Sequence, residues 1–301
     1  MAEISANLIK ELREKTGAGV LDCKKALVES QGDLSKAIEG LRKSGAAKAE
    51  KKTGRITAEG RVLAKQQGDR AVLLEVNCET DFVAKNEDFQ AFVENLAELI
   101  LKENPSGAEA LLQASLKGQA VKEVLQTLIA KIGENISIRR FAVMQVQAGE
   151  KIGSYIHMGN KIGVLVKIKG SVSKLEEPVL RDVAMHVAAS APQYLVRQEI
   201  PQDVLEREKS IYLEQMKELK KPPAVLEKIL EGKIARFADE VCLVDQPFVK
   251  DPTGKQTLAA YLKEKDPSLQ VTQFLRYQVG EGIAKKEEDF ASEVAKSLQG
   301  H

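Results

Sequence analysis

Apolar residues along this chain recur with two different periods, and the switches between them mark its organisation. Up to residue 45 the spacing is three and four, the period of a helix with one buried face. Residues 5–16 carry Leu8, Ile9 and Leu12 and stop at Gly17. Residues 20–31 carry Val20, Leu21, Ala26 and Leu27 and stop at Gly32. Asp33 caps a third helix, with Leu34, Ala37, Ile38 and Leu41 inward and Gly45 after it. Three stripes of this size predict a minimal helical bundle, marginal in stability.

From about residue 54 strand-like runs appear. Residues 56–66, a turn at Gly68-Asp69, and 71–76 predict a hairpin. Helices are expected at 87–102, 108–116 and 120–133, and a strand at 137–147 closes this half. The pattern then repeats: 153–157, a turn at Gly159-Asn160, the run 161–169, and a helix carrying Leu180, Val183, Ala184, Val187 and Ala188. Residues 71–76 and 163–168 agree in character position by position, which implies an internal duplication. Residues 204–219 and 224–237, broken by Lys220-Lys221-Pro222-Pro223, predict an inserted helical hairpin. Its stripes, with Ile211, Met216, Leu226 and Leu230, exceed what two helices bury between them. They meet either something beyond the hairpin or the chain's own core. Runs at 240–244 and 271–279 read as strands, and 290–298 as a terminal helix after a flexible Gly280-Glu281-Gly282 joint.

The expected fold is therefore α+β: a small N-terminal three-helix bundle, a duplicated α+β core with two small antiparallel sheets, an inserted helical hairpin and a C-terminal helix. The boundaries read as 1–53 for bundle and linker, 54–148 and 149–280 for the two core halves, with the hairpin at about 203–237, and 281–301 for the terminal module.

The sharpest change of period lies at residues 71–100. An apolar run to Val76 turns polar through Asn77, Glu79, Thr80 and Asp81. A helical period then takes over through Phe82, Val83, Phe89, Phe92, Val93, Leu96, Leu99 and Ile100. On periodicity alone Phe82 is a core residue and Asp81 a cap. The other reading is a side chain held out toward a partner, because a strand-to-helix turn is fixed by rigid elements on both sides.

Composition narrows the function classes. A net charge of +1 gives no global case for nucleic-acid binding. The 42–65 stretch holds eight basic and two acidic residues, but no aromatic side chain is interleaved for base stacking. It reads as a solvated helical linker that lets the bundle reach a partner independently, with an RNA contact as the alternative. No apolar run approaches the roughly eighteen residues of a membrane span. The N-terminus enters an amphipathic helix directly, with neither a signal block nor a transit segment, which predicts a cytoplasmic protein. Cys23, Cys78 and Cys242 are scattered and odd in number, arguing against a disulfide framework. His157, His186 and His301 have no ligand spacing with them, so neither a metal nor a cofactor is expected. A phosphate loop is absent, since Gly254-Lys255 is followed by Gln256. Gly17-Ala18-Gly19 is better explained as a cap, and no G-x-S-x-G elbow exists. Intrinsic catalysis is not expected.

Three stretches carry a family resemblance. Residues 75–86, Glu-Val-Asn-Cys-Glu-Thr-Asp-Phe-Val-Ala-Lys-Asn, closely resemble the signature of bacterial elongation factor Ts. Residues 16–27, Thr-Gly-Ala-Gly-Val-Leu-Asp-Cys-Lys-Lys-Ala-Leu, and residues 131–140, Lys-Ile-Gly-Glu-Asn-Ile-Ser-Ile-Arg-Arg, resemble further signatures of that family. The resemblance implies a guanine-nucleotide exchange factor for elongation factor Tu, met in its GDP-bound and nucleotide-free forms, with a ubiquitin-associated-like bundle at the N-terminus. It implies that Thr80, Asp81, Phe82 and Val83 displace the Mg²⁺ and phosphate contacts of the GTPase. Val20, Leu21, Lys24, Ile132, Gly133 and His157 are implied as further partner contacts, and the helical hairpin as a dimerisation module. The alternative from another class is a non-catalytic protein- or RNA-binding adaptor.

Overall fold

The computed structural model describes residues 4–217 and 222–284. The chain opens with α1 (Ala6–Thr16), α2 (Val20–Glu29) and α3 (Leu34–Glu50), followed by β1 (Glu59–Gln67) and β2 (Arg70–Cys78). Next come α4 (Asp81–Ala84), α5 (Glu87–Glu103), α6 (Ala108–Gln113), the short strands β3 (Ser115–Leu116) and β4 (Gln119–Ala120), α7 (Val121–Ile132) and β5 (Ile136–Gln145). The later part holds β6 (Glu150–Ile156), β7 (Ile162–Lys169), α8 (Glu177–Ser190), α9 (Gln202–Met216), α10 (Pro223–Val241), α11 (Leu258–Lys265) and β8 (Gln270–Gln278).

Local chemistry sets the first helices. The Ser5 hydroxyl accepts from the Leu8 N–H at 3.3 Å, and the Asp33 carboxylate accepts from the Lys36 N–H at 3.0 Å. Each satisfies a donor that the helix start would otherwise leave open. Leu12, Cys23, Ala26, Leu27 and Ala37 form the bundle core, with Ile4, Leu8, Ile9, Ile38 and Leu41 packed around it. The third helix does not end at Gly45. It runs to Glu50 because its later turns pack along α7, where Gly45 is buried against Ala130. Arg42 pairs with Glu123 of α7, and Lys48 with Asp22 of α2. The stretch expected as a solvated linker thus begins as packed helix: tertiary burial outweighs the stop signal of one glycine.

Two three-stranded sheets have the orders β1-β2-β5 and β6-β7-β8, and β3-β4 form a small third pair. In both larger sheets the second strand of a hairpin is central and a helix follows it. This realises the duplication read from 71–76 and 163–168. β6 and β7 are antiparallel, with Gly153 opposite Val166 and Ile156 opposite Gly163. Only glycine fits at position 153, since a Cβ would lie 2.7 Å from the Leu180 Cβ and carbonyl oxygen of α8. Val164, Val166 and Ile168 of β7 pack with Val183 and Val187 of α8 and with Leu258 and Leu262 of α11.

Two expectations are corrected in this later part. Residues 240–244 are not a sheet strand. The helix α10 reaches Val241, and Cys242 makes only an isolated parallel bridge to Tyr194. Val241 and Cys242 are buried in a side cluster with Ile200 and Ala238, and Leu243 packs into the core of β7 and α8, rather than the run pairing in a ladder. The Gly280-Glu281 segment is not a free joint either. The Gly280 N–H donates to the buried Glu75 carboxylate at 3.0 Å, and the Glu281 carboxylate accepts from Arg140 at 3.0 Å. The helical hairpin is present as α9 and α10. Val204, Leu205 and Phe237 pack at its base, while Ile211, Leu213 and Val225 are exposed further out. The expected terminal helix at 290–298 lies outside the described residues.

The residues fall into two compact units. One takes the chain as far as Val62, then Leu74–Phe141 and the described residues from Gln278. The other takes Leu63–Leu73 and Ala142–Tyr277. This grouping follows neighbours in space and so does not coincide with the sequential boundaries read from the chain. Among the described residues no helix is long and apolar enough to cross a membrane.

Candidate functional site

The end of β2 and the start of α5 frame the turn that the sequence singles out. Thr80 is extended and caps α4, its hydroxyl accepting the Val83 N–H at 3.4 Å. The helix lasts four residues and ends at Lys85. Asn86 starts a new helix by accepting the N–H groups of Asp88 and Phe89, at 2.9 and 3.3 Å. This restart shifts the helical phase. Val83 is buried beneath the turn and Phe89 is wholly buried, but Phe82, directly before Val83, is 80% exposed. The core assignment that periodicity favoured for Phe82 is therefore wrong. Asp81 forms an ion pair with Lys85 at 2.7 Å on the outer surface.

Leaving a phenylalanine in water forgoes about 1.5–3 kcal/mol of burial. The turn is held by polar contacts instead. Glu134 accepts the Thr80 N–H at 3.0 Å with one carboxylate oxygen and the Thr80 hydroxyl at 2.7 Å with the other. Glu79 answers from the opposite side, accepting the Asn135 N–H at 2.5 Å. The Asn135 amide donates to the carbonyls of Thr53 and Arg55, and Lys52 donates to the carbonyl of Gly133. Lys131 pairs with Asp88 at 2.7 Å. Three connections, α3–β1, β2–α4 and α7–β5, thus converge on the turn. Gly133 caps α7 with φ at 90°, a conformation that favours glycine, and this directs the chain into Glu134 and Asn135.

The structure accordingly brings residues 131–135 against residues 79–81. Gly133 is exposed and Ile132 half-buried. Val20 and Leu21 lie on the opening turn of α2, 51% and 83% exposed, and Lys24 one turn on is exposed too. His157 belongs to the second unit, at the β6–β7 tip. It is exposed, with Nδ1 at 3.1 Å from the Tyr155 hydroxyl. Met158 beside it is 86% exposed and was not singled out by sequence reasoning. Glu79, Glu134 and Asn135 were also missed as individual residues, since a pairing across more than fifty positions leaves no local periodicity. Among the described residues no group of His, Cys, Asp or Glu is placed to hold a metal ion.

Comparison with known proteins bears on the same residues. The family model for elongation factor TS matches residues 79–281, beginning at Glu79. Elongation factor Ts of Alkalilimnicola ehrlichii is 48% identical over 299 residues, covering 99% of each chain. That of Psychromonas ingrahamii is 49% identical over 295 residues, covering 98% of this chain and 97% of the relative. That of Thioalkalivibrio sulfidiphilus is 46% identical over 299 residues, 99% of each. Matched by the family model across most of its length and by these relatives nearly end to end, the chain belongs to the elongation factor Ts family of translation elongation factors.

Proposed function

We propose that this chain is a guanine-nucleotide exchange factor for elongation factor Tu and supports polypeptide elongation in the cytoplasm. A phosphate-loop GTPase holds GDP partly through Mg²⁺ and the loop around its phosphates. A factor that binds the nucleotide-free form more tightly than the GDP form must, by linkage, weaken GDP by the same ratio. In this reading Phe82 enters an apolar crevice beside the Mg²⁺ site, and Asp81 disturbs the polar contacts that hold the metal. Thr80 and Val83 fix those two side chains. Val20, Leu21, Lys24, Ile132, Gly133 and His157 supply further contacts, and the exposed outer residues of α9 and α10 supply a self-association surface. No covalent bond is made or broken in nucleotide exchange.

The observation that carries this reading is an aromatic side chain 80% exposed on a turn clamped from two sides. An RNA-binding role for residues 42–65 draws less support. Arg42, Lys48, Lys52, Arg55 and Arg61 are engaged with Glu123, Asp22, the Gly133 carbonyl, Glu79 and Glu94. The deciding measurement is the rate of GDP release from purified elongation factor Tu with and without this protein. Acceleration at substoichiometric concentration is expected. An unchanged rate rejects the proposal.

A further inference from the structure

A four-residue helix lies well below the length at which helical structure sustains itself in water. Phe82, mostly exposed, contributes little packing to hold its own position, and Val83 is the only buried residue of α4. The direction in which the aromatic ring points must then be set by the polar anchors of the turn. We infer that Glu134, supported by Glu79, is a positioning residue for the Phe82 wedge. This deepens the exchange reading above and rests on it.

The hydrogen-bond chemistry is specific. Thr80 has one hydroxyl proton, and it goes to Glu134 at 2.7 Å. With that proton committed, the hydroxyl lone pairs face the Val83 N–H, which is the capping bond that starts α4. The second carboxylate oxygen takes the Thr80 N–H at 3.0 Å, so one side chain fixes both the backbone and the rotamer of the cap. Bonds to an ionised carboxylate are the stronger kind. The Glu79–Asn135 bond closes the loop from the other direction, and Asn135 ties the pair to the α3–β1 connection. Both acids are only partly exposed, and both are engaged within the chain. A side chain preset in its bound direction avoids the ordering cost at encounter, so an intact clamp favours displacement of nucleotide over mere docking.

The test uses the full chain with Glu134→Ala, Glu134→Gln and Thr80→Val, the first also in a Phe82→Ala background. Amide hydrogen exchange over residues 80–86 is read in the free protein. GDP release from elongation factor Tu is read as a saturating rate and a half-saturating concentration. In Glu134→Ala, amide exchange at Val83 and Ala84 should accelerate about tenfold or more, the scale of losing bonds to a charged group. The saturating release rate should fall about tenfold while the half-saturating concentration moves less than about threefold. Glu134→Gln, which still accepts the Thr80 N–H, should recover most of the rate. Adding Glu134→Ala to Phe82→Ala should lower the rate no further. Unchanged amide exchange overturns the inference, as does an equal fold-loss in the Phe82→Ala background. If Glu134→Ala does not fold, Glu134→Gln carries the test with smaller changes in the same directions, and unchanged amide exchange at Val83 and Ala84 in it overturns the inference. Thr80→Val, which removes the cap itself, sets the upper limit of the effect. A wild-type chain that fails to accelerate GDP release from elongation factor Tu rejects the exchange reading, and the hydrogen-exchange arm still decides whether Glu134 positions the turn.

Discussion

Phe82 and Phe89 stand seven positions apart on either side of the Asn86 cap, and they have opposite environments: the first is 80% exposed and the second fully buried. Truncation of Phe89 to alanine opens a cavity and should cost about 3–5 kcal/mol. Truncation of Phe82 should change stability by no more than about 0.5 kcal/mol, as surface substitutions usually do. GDP release should show the reverse order, with Phe82→Ala strongly impaired and Asp81→Ala impaired less. Melting temperatures of the three variants beside their release rates decide the matter. A Phe82→Ala protein that melts early, or that exchanges at the wild-type rate, would sink the wedge.

That reversal explains what the sequence could and could not reveal here. Both rings lie near the spacing of the same apolar stripe, so periodicity buries both. The helix expected over 87–102 does begin after Asn86, as α5 does, but a helix boundary alone does not say which side of the preceding turn faces water. The strands and most helices were legible because a buried face imposes a period. The Glu134–Thr80 clamp was not, because it joins two loops through charges that carry none. The helix α11 escaped for a related reason: it is eight residues long and buries only Leu258, Tyr261 and Leu262.

The packing of α3 on α7 predicts how the N-terminal bundle is attached. Ala49 is 3% exposed, on the part of α3 that the sequence reads as solvated linker. Placing a carboxylate there, Ala49→Asp, buries a charge without a partner and should cost about 2 kcal/mol or more. On a solvated linker the same change would stay within about 0.5 kcal/mol. Thermal unfolding of the variant separates the two. A melting temperature equal to wild type would mean that α3 and α7 are not coupled in solution.

Glu75 predicts a second dissociation. Its side chain is fully buried in β2 and accepts from Arg139 at 2.8 Å, from Arg140 at 2.6 Å and from the Gly280 N–H at 3.0 Å. Glu75→Ala removes the buried acceptor shared by Arg139, Arg140 and the Gly280 N–H, while both arginines keep their bonds to Glu281. A fully buried broken pair costs about 3–5 kcal/mol. Both arginines are partly exposed, so the lower end of that range is expected. Glu75→Gln keeps the shape and one good acceptor and should cost clearly less. Urea unfolding of the two variants tests this, and equal losses would show that packing at this position matters more than charge.

His186 predicts a pH dependence whose sign follows from its surroundings. The ring is fully buried on α8, against Gln246, Ser190, Phe248 and the Val249 backbone. Its Nδ1 accepts the Val249 N–H at 3.2 Å, which leaves Nε2 to donate to the Gln246 carbonyl oxygen at 3.1 Å. Protonation would set Nδ1–H against the Val249 N–H, donor against donor. Burial accordingly lowers the histidine pKa below its ordinary value, with the Gln246 bond opposing. Above a pH of about 6.5 the ring is neutral in both folded and unfolded chains, and its full contribution is present. As pH falls below that value the unfolded chain takes up the proton first, so stability declines until the folded pKa is reached. Urea midpoints of wild type should therefore fall between pH 7.5 and 5.5 more steeply than those of His186→Gln, in which this proton is absent. Taking the difference between the two proteins cancels His157, His301 and the carboxylates. Parallel pH profiles would mean that position 186 takes up its proton equally in both states, and the buried donor–acceptor arrangement would then be wrong.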